Sequence, residues 1–174
     1  MRVIGGEFRS RRLKSLPGLE TRPTPDRLRE TLFDVLAPRI EGVVFVDAYA
    51  GTGAVGIEAL SRGAARAIFL EKNRMAVKVI RENLESLGLL GRARIAHGSV
   101  QLMLPANPGD IVFLDPPYER DREYGVALET LGQNPSPLVV VQHSKYFALE
   151  EEYGRLHRTR VLRQGENVLS FYAG

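Results

Sequence analysis

The stretch VVFVDAYAGTGAVGIEAL, residues 43–60, gives the strongest indication of the fold. An apolar run ends in Asp47, and a loop with glycines at positions 51, 53 and 56 leads into an apolar segment of helical character. These glycines match the G-x-G-x-x-G spacing of nucleotide-binding loops, in which a buried strand is followed by a tight turn and a helix. We therefore expect a strand, a ligand-binding loop and a helix here.

The chain after residue 43 continues this alternation of strand and helix. Apolar runs predict five strands, at 43–47, 67–71, 93–97, 110–115 and 138–143. Helices are predicted between them, at 53–62, 73–87 (capped by Asn73), 99–104 and 122–132. Near-continuous apolar strands are typical of a parallel sheet that is buried on both faces. The pattern predicts the α/β class, with an open, doubly wound, mostly parallel Rossmann-like sheet.

Both ends of the chain depart from this pattern. Alternating runs near 155–163 and 167–172 flank Gln164-Gly165-Glu166, which predicts an antiparallel C-terminal hairpin. At the other end, residues 1–22 are predicted to form a short basic arm, with RVIGG and RRLKSL as hairpin strands. Residues 23–174 then form the α/β domain.

A helix is predicted between the arm and the first strand of the sheet, in TRPTPDRLRETLFDVLAP. Thr24 is a candidate N-cap, Pro25 suits the first helical position, and Pro38 ends the segment.

The composition bounds the class of protein. At 174 residues, with 44% hydrophobic and 26% charged residues, the chain suits one globular domain. It has no apolar run near the ~18 residues of a membrane span and no signal-peptide pattern at its start. The absence of cysteine excludes disulfides and thiol chemistry, and His97, His143 and His157 lack metal-ligand spacing. We expect a cytoplasmic, monomeric enzyme without a metal.

Positive charge is concentrated in the first 29 residues. Eight basic and three acidic side chains there give a net charge of +5, whereas the whole chain carries +3. Arginine suits bidentate contacts with phosphate, although a solvated basic face is the alternative. Arg29 and Glu30 are equally good candidates for a structural ion pair. The candidate RNA-binding residues are Arg9, Arg11, Arg12, Lys14, Arg22, Thr24 and Arg27; the last three could instead line the target base or the cofactor.

Asp47 argues against a dinucleotide cofactor. Its carboxylate would lie close to the pyrophosphate, and like charges ~4 Å apart cost about 4 kcal/mol per pair at an effective dielectric constant near 20. S-adenosylmethionine has no phosphate and carries an ammonium and a sulfonium, so it suits an acid here. Glu71, at the end of the second strand, can accept both ribose hydroxyls of either cofactor. We therefore expect this loop to bind S-adenosylmethionine. Gly98-Ser99-Val100 lies at the expected adenine edge, although a helix cap by Ser99 is an equally good interpretation.

The fourth strand ends in Asp115-Pro116-Pro117-Tyr118, a signature of methyltransferases that act on planar nitrogens. The Asp115 carboxylate and the Pro116 carbonyl can accept the two N–H groups of an exocyclic amine and favour the pyramidal amine that attacks in line. The prolines stiffen the loop. Tyr118 offers a face on which an extruded base can stack. These residues are the catalytic candidates.

These motifs, together with RVIGGEFRSRRL and RPTPDRLRETLFDVL, resemble the RsmD family over nearly the whole chain. The resemblance implies methylation of guanine N2 in small-subunit (16S) ribosomal RNA, of the guanine 966 type, within an assembled or assembling subunit. It also implies amine capture by Asp115, Pro116 and Tyr118, and cofactor contacts at Asp47, Tyr49, Gly51, Gly53 and Glu71. Ala50 and Lys72 complete the expected cofactor site.

Other functions remain open at this point. The Asp-Pro-Pro-Tyr motif serves N6-adenine methylation of RNA or DNA equally well, although the chain is small for an enzyme that reads a DNA sequence. The basic arm disfavours methylation of a protein glutamine. A non-catalytic RNA-binding protein would need a broken cofactor or amine site, and neither is broken.

Overall fold

The structure of the chain, a computed structural model, describes residues 1–17, 24–117 and 121–174. These residues form one eight-stranded sheet with helices on both faces. The strands are β1 (Val44–Ala48), β2 (Arg66–Glu71), β3 (Ala93–His97), β4 (Ile111–Leu114), β5 (Leu138–Ser144), β6 (Glu152–Tyr153), β7 (Leu156–Gln164) and β8 (Asn167–Ala173). The helices are α1 (Asp26–Leu36), α2 (Ala54–Ser61), α3 (Arg74–Ser86), α4 (Val100–Met103) and α5 (Asp121–Gln133). The expected α/β class is confirmed.

The strand order is β3-β2-β1-β4-β5-β8-β7-β6. The first five strands are parallel, and β7 and β8 form the antiparallel hairpin, with β8 against β5. The sheet grows from β1 outward to β3, and then on the other side from β4 to β5. This reversal makes a topological switch between β1 and β4, where open α/β sheets bind ligands at the carboxyl ends of their strands.

The strands are apolar because both faces of the sheet are covered. In β1, Phe45 packs with α1 and α2 on one face, whereas Val46 packs with α4 and α5 on the other, and neither side chain is exposed. The same alternation holds for Phe113 and Leu114 of β4. Successive side chains of a strand point to opposite faces of the sheet, so a strand that is buried on both faces needs apolar residues at successive positions. The apolar runs in the sequence therefore fit the observed covering of both faces.

The predicted boundaries lie within about two residues of the observed ones, with specific exceptions. Asn73 caps α3 as expected, because its Oδ1 accepts from the backbone N–H groups of Met75 and Ala76 at 2.9 and 3.0 Å. The N-cap prediction for Thr24 is wrong: Pro25 is the N-cap residue of α1, and no side chain caps that helix. The two-residue strand β6 was not predicted, since it is too short to show a periodicity.

The arm lies against α2 and α3 as far as residue 17. It doubles back as a hairpin, but a single antiparallel bridge between Arg2 and Arg12 replaces the two predicted strands. Val3 and Leu13 are buried in the core between α2, α3 and β2. The division between arm and domain at 22/23 stays a prediction, because it falls outside the described residues.

Gly56, the third glycine of the motif, is required by the packing of α2 on β2. A Cβ built at this position would lie 2.3 Å from the Cε1 atom of Phe69, so α2 would have to move away from the sheet. We expect Gly56→Ala to lower the free energy of unfolding by about 1–3 kcal/mol, measured by urea denaturation.

The matched control is Gly125→Ala in α5, where a Cβ meets nothing within 4 Å. Alanine there should raise the free energy of unfolding by about 0.5–1 kcal/mol, because it favours the helix without a clash. Equal effects of the two substitutions would contradict the packing argument.

None of the helices in the described ranges is long and apolar enough to cross a membrane.

Candidate functional site

The site lies at the carboxyl ends of β1 and β4, on the two sides of the topological switch. Asp47 is the penultimate residue of β1, and Asp115 directly follows β4. The register pairs Ala48, the last residue of β1, with Leu114, the last residue of β4. The two predicted carboxylates are therefore brought to neighbouring strand ends. They are close enough for the charge of Asp115 to raise the pKa of Asp47.

The glycine loop after β1 is built from left-handed residues. Tyr49, Gly51 and Gly53 have φ angles of +62°, +58° and +83°, a region that glycine tolerates best. Gly53 is also the N-cap residue of α2, and its N–H donates to the Ala50 carbonyl at 2.8 Å. A Cβ at Gly51 would meet nothing within 4 Å, so this glycine leaves open space beside the backbone. That space is what a closely approaching ligand needs.

Asp47 supports this loop from below. It is only 2% exposed, and its Oδ2 accepts from the Gly56 N–H at 2.8 Å. Burial raises the pKa of Asp47 well above its usual range, and the charges of Asp115 and Glu71 raise it further, against the hydrogen bond from Gly56. Asp115 and Glu71 thus both disfavour the ionised form of Asp47 at this edge of the sheet. A cationic ligand would relieve this repulsion, whereas a pyrophosphate would increase it.

Glu71 joins three of the predicted segments. Its Oε2 accepts from the Gly51 N–H at 2.9 Å, and its Oε1 accepts from the Asn73 N–H at 3.0 Å. Its backbone carbonyl accepts from the Gly98 N–H at 3.0 Å, which links the end of β2 to the end of β3. The carboxylate is therefore fixed at the rim of the open space beside Gly51.

The remaining predicted cofactor residues lie around this rim. Ser99 occupies the N-cap position of α4 but makes no side-chain cap hydrogen bond, so the alternative interpretation as a helix cap is not supported. Lys72 is exposed, and its carbonyl accepts from His97 Nε2 at 3.0 Å. Val100 is buried against the α4–α5 face of the sheet.

Asp115 is held by a residue from the start of α1. Thr24 Oγ1 donates to Asp115 Oδ2 at 3.2 Å. Burial raises the pKa of Asp115 to about 7, and the hydrogen bond from Thr24 acts in the opposite direction. Pro116 is buried. Tyr118 and Arg22, which were also predicted for the site, lie outside the described residues.

Sequence reasoning missed a polar cluster beside Tyr49. Tyr49 Oη donates to Glu123 Oε2 at 2.7 Å, and Gln101 Nε2 donates to the same oxygen at 3.3 Å. The cluster joins the glycine loop to α4 and α5. Glu123 and Gln101 are surface-type residues in helical segments, and no local pattern distinguishes them.

The basic residues that are predicted to bind RNA and lie in the described ranges fall into two groups. Arg11 Nη2 donates to the Ser86 carbonyl at 3.0 Å, and Lys14 Nζ lies 3.1 Å from Glu82 Oε2, so both contact α3. The other cations are exposed and make no side-chain hydrogen bond or ion pair with the described part of the chain: Arg9, Arg12 and Arg27.

Among residues 1–17, 24–117 and 121–174, no group of three or more histidine or acidic side chains is arranged to hold a metal ion.

This chain is similar to known proteins over almost its whole length. The family model described as Conserved hypothetical protein 95 matches residues 1–173. Ribosomal RNA small subunit methyltransferase D of Escherichia coli K12 is 44% identical over 124 residues, which are 69% of this chain and 61% of that protein. The protein of the same name in Haemophilus influenzae is 35% identical over 83% of this chain and 79% of its own length.

The solved structure of yhhF from Escherichia coli has a TM-score of 0.87 to this chain at 32% identity, covering 99% of this chain and 96% of its own. The family match extends over the arm, α1 and the whole sheet, the same segments that position Thr24, Asp47, Glu71 and Asp115. This chain belongs to the RsmD family of methyltransferases.

Proposed function

We propose that this protein transfers a methyl group from S-adenosylmethionine to the exocyclic N2 of a guanine in 16S ribosomal RNA, a reaction of the guanine 966 type. The observation that carries the proposal is the position of Asp115. It directly follows β4, and its charge acts on Asp47 near the end of β1, so the amine acceptors and the nucleoside site lie at one edge of the sheet. The family relatives that are small-subunit ribosomal RNA methyltransferases support the choice of RNA.

The cofactor is S-adenosylmethionine, and the residues present fit it. We assign binding of the ribose hydroxyls to Glu71 and binding of the adenine edge to residues 98–100. At Gly51 and Gly53 the cofactor can approach the backbone closely, because these residues have no side chain. Asp47 supports the loop by accepting from the Gly56 N–H, and we place the cationic end of the ligand beside this carboxyl group. When bound, the cofactor supplies a methyl group on a positively charged sulfur.

The acceptor amine is assigned to Asp115 and Pro116. Thr24 holds Oδ2 of the carboxylate, so we assign one amine N–H to Oδ1 and the other to the Pro116 carbonyl. An exocyclic amine is a poor nucleophile because its lone pair is delocalised into the ring. Two fixed acceptors favour the pyramidal amine and therefore stabilise the transition state more than the ground state. With a pKa of about 7, Asp115 can also take the proton that the methylated nitrogen releases.

Thr24→Val should change the pH dependence of the reaction. The hydroxyl stabilises the ionised carboxylate, so its removal raises the pKa of Asp115 above about 7 and lowers the ionised fraction at neutral pH. A hydrogen bond worth about 1 kcal/mol changes the ionisation constant about fivefold, which lowers the ionised fraction at pH 7, and with it kcat, about threefold, with recovery at pH 9. Thr24→Ser is the control, since it keeps the donor. A loss that persists unchanged at pH 9 would contradict this role.

RNA binding is assigned to the arm and to the start of α1. Arg9, Arg12 and Arg27 are the strongest candidates for phosphate contacts, because their exposed side chains are not engaged with described residues. Arg11 and Lys14 can contribute only by exchanging a contact with α3. That the substrate is an assembled or assembling subunit, and that the enzyme is cytoplasmic and monomeric, stay predictions.

The test is transfer of a labelled methyl group. The purified protein is incubated with methyl-labelled S-adenosylmethionine and small ribosomal subunits from a strain that lacks this activity, and the labelled nucleoside is identified after digestion. N2-methylguanosine is the expected product. N6-methyladenosine would keep the amine mechanism but overturn the substrate, and no label would overturn the proposal for this substrate. Protein-free 16S RNA in a parallel reaction decides between assembled and naked RNA.

A further inference from the structure

Tyr146 lies at the acceptor side of the same sheet edge. β5 is the neighbour of β4, and the register pairs Leu114 with Val141. β5 continues to Ser144, past the level at which β4 ends, and Asp115 and Pro116 follow β4 at the same carboxyl edge of the sheet. Tyr146 follows Ser144 by two residues, so it lies at the carboxyl end of the strand next to the one that leads into Asp115 and Pro116.

The turn that carries Tyr146 is fixed by its backbone and by its neighbours. The Lys145 N–H donates to the Glu166 carbonyl at 2.8 Å, and the Phe147 N–H donates to the Ser144 carbonyl at 3.0 Å. The Tyr146 N–H donates to Ser144 Oγ at 3.2 Å. The ring of Phe147 packs at 4.9 Å from the ring of Tyr124 on α5. The position of Tyr146 is thus set by the sheet and not by its own side chain.

The ring of Tyr146 has no packing role in the described structure. It is 77% exposed and belongs to none of the hydrophobic clusters. Lys145 Nζ lies 5.0 Å from the centre of the ring, and Glu166 Oε1 lies 3.5 Å from the hydroxyl oxygen. Arg163, also exposed, lies on β7 at the same end of the hairpin. A fixed, exposed aromatic ring with cations beside it fits a nucleotide, whose base stacks and whose phosphate is anionic.

We propose that Tyr146 is a stacking platform for a nucleotide that adjoins the target base, with Lys145 contacting its phosphate. The inference rests on the proposed RNA substrate. A base that enters the amine site leaves its neighbour without a stacking partner, and unstacking costs free energy. An aromatic face beside the amine site replaces that partner and holds the strand in register, so Tyr146 positions the substrate and takes no part in methyl transfer.

The first test uses fluorescence and needs no turnover. The chain has no tryptophan, so Tyr146→Trp introduces a single tryptophan at the proposed platform, which is excited selectively over the remaining tyrosines. Small ribosomal subunits that lack the methyl group should quench its emission. Leu90→Trp is the control, because Leu90 is exposed and precedes β3, at the opposite end of the strands. Quenching of the 146 variant alone supports the platform; equal quenching of both variants, or none, overturns it.

The second test separates stacking from folding. Tyr146→Leu should raise the KM for the subunit about tenfold, with kcat and the Kd for S-adenosylmethionine within about twofold, whereas Tyr146→Phe should restore the KM. An unchanged KM in the leucine variant, or a phenylalanine variant as poor as leucine, overturns the platform even if the wild-type protein methylates RNA. If the wild-type protein methylates no RNA, the proposed function fails, and the quenching experiment still decides whether RNA contacts Tyr146.

Discussion

Replacing Asp115 by alanine is expected to lower kcat at least about 100-fold while leaving the Kd for S-adenosylmethionine within a few-fold. The magnitude is that of losing one fixed group that binds the transition state. Cofactor affinity should survive because the groups assigned to the nucleoside belong to the other side of the switch, with Glu71 held by Gly51 and Asn73. The measurement is single-turnover methyl transfer together with a cofactor-binding titration. A large loss of cofactor affinity would contradict the assignment to the amine.

The pH profile identifies the chemical role of this carboxyl group. Burial raises the pKa of Asp115 to about 7, so the group is protonated and a poorer acceptor below that pH. We therefore expect kcat to rise with pH through about 7 and then to level off. Asp115→Asn keeps a carbonyl acceptor but cannot ionise, so it should exceed the alanine variant in activity and lack this rise. A rise that persists in the asparagine variant would assign the titration to another group.

The sequence allowed the sheet and the main site residues to be predicted because these depend on local patterns. Two successive apolar residues, such as Phe45 and Val46, are enough to predict a strand that is buried on both faces. Asp47 and Asp115 were predicted as site residues because ligands bind at the carboxyl ends of parallel strands. The hydrogen bond from Thr24 to Asp115 spans 91 positions, and Thr24 makes it in place of the local N-cap that the sequence predicted. Local propensity cannot decide between a cap and a distant partner.

The arm illustrates the same limit for charged residues. Arg9 and Arg29 are alike in the sequence, since both lie in one basic segment, yet Arg9 is exposed and Arg29 is completely buried. Of the two predicted ion-pair residues, Arg29 forms ion pairs, with Asp26 and Glu58 as partners. Glu30 is exposed. A buried arginine is specified by the acid that faces it from another helix, and that acid is not recognisable before the fold is known.

Glu58 is that acid, and it ties three segments together. Its side chain is completely buried in α2, where its two oxygens accept from the backbone N–H groups of Ile4 and Gly5, each at 2.9 Å. Arg62 Nε donates to it at 2.8 Å, and Arg29 Nε lies 3.7 Å from it. Burial lowers the pKa of Arg29, whereas the charge of Glu58 raises it. One carboxylate thus fixes the arm to α1 and α2.

Glu58→Gln is therefore expected to lower the free energy of unfolding by about 3–5 kcal/mol, because it leaves a buried arginine without its buried counter-charge and with only the exposed Asp26 as an acidic partner. For a chain of this length, even the lower value corresponds to a fall in Tm of about 6–12 °C. The matched control is Asp34→Ala, which removes an exposed partner of Arg62 at 3.7 Å and should cost at most about 1 kcal/mol. Thermal and urea denaturation measure both variants.

Limited proteolysis separates loss of the arm from global unfolding. Because Ile4 and Gly5 donate directly to the carboxylate, the glutamine variant should be cleaved in residues 1–17 well below its Tm, while the sheet stays protected. The same variant should bind RNA more weakly, since Arg9 and Arg12 are oriented only while the arm is docked. A glutamine variant as stable and as protected as Asp34→Ala would mean that the apolar contacts of Val3 and Leu13 suffice to hold the arm. The buried carboxylate would then contribute little net stability, as its desolvation cost allows.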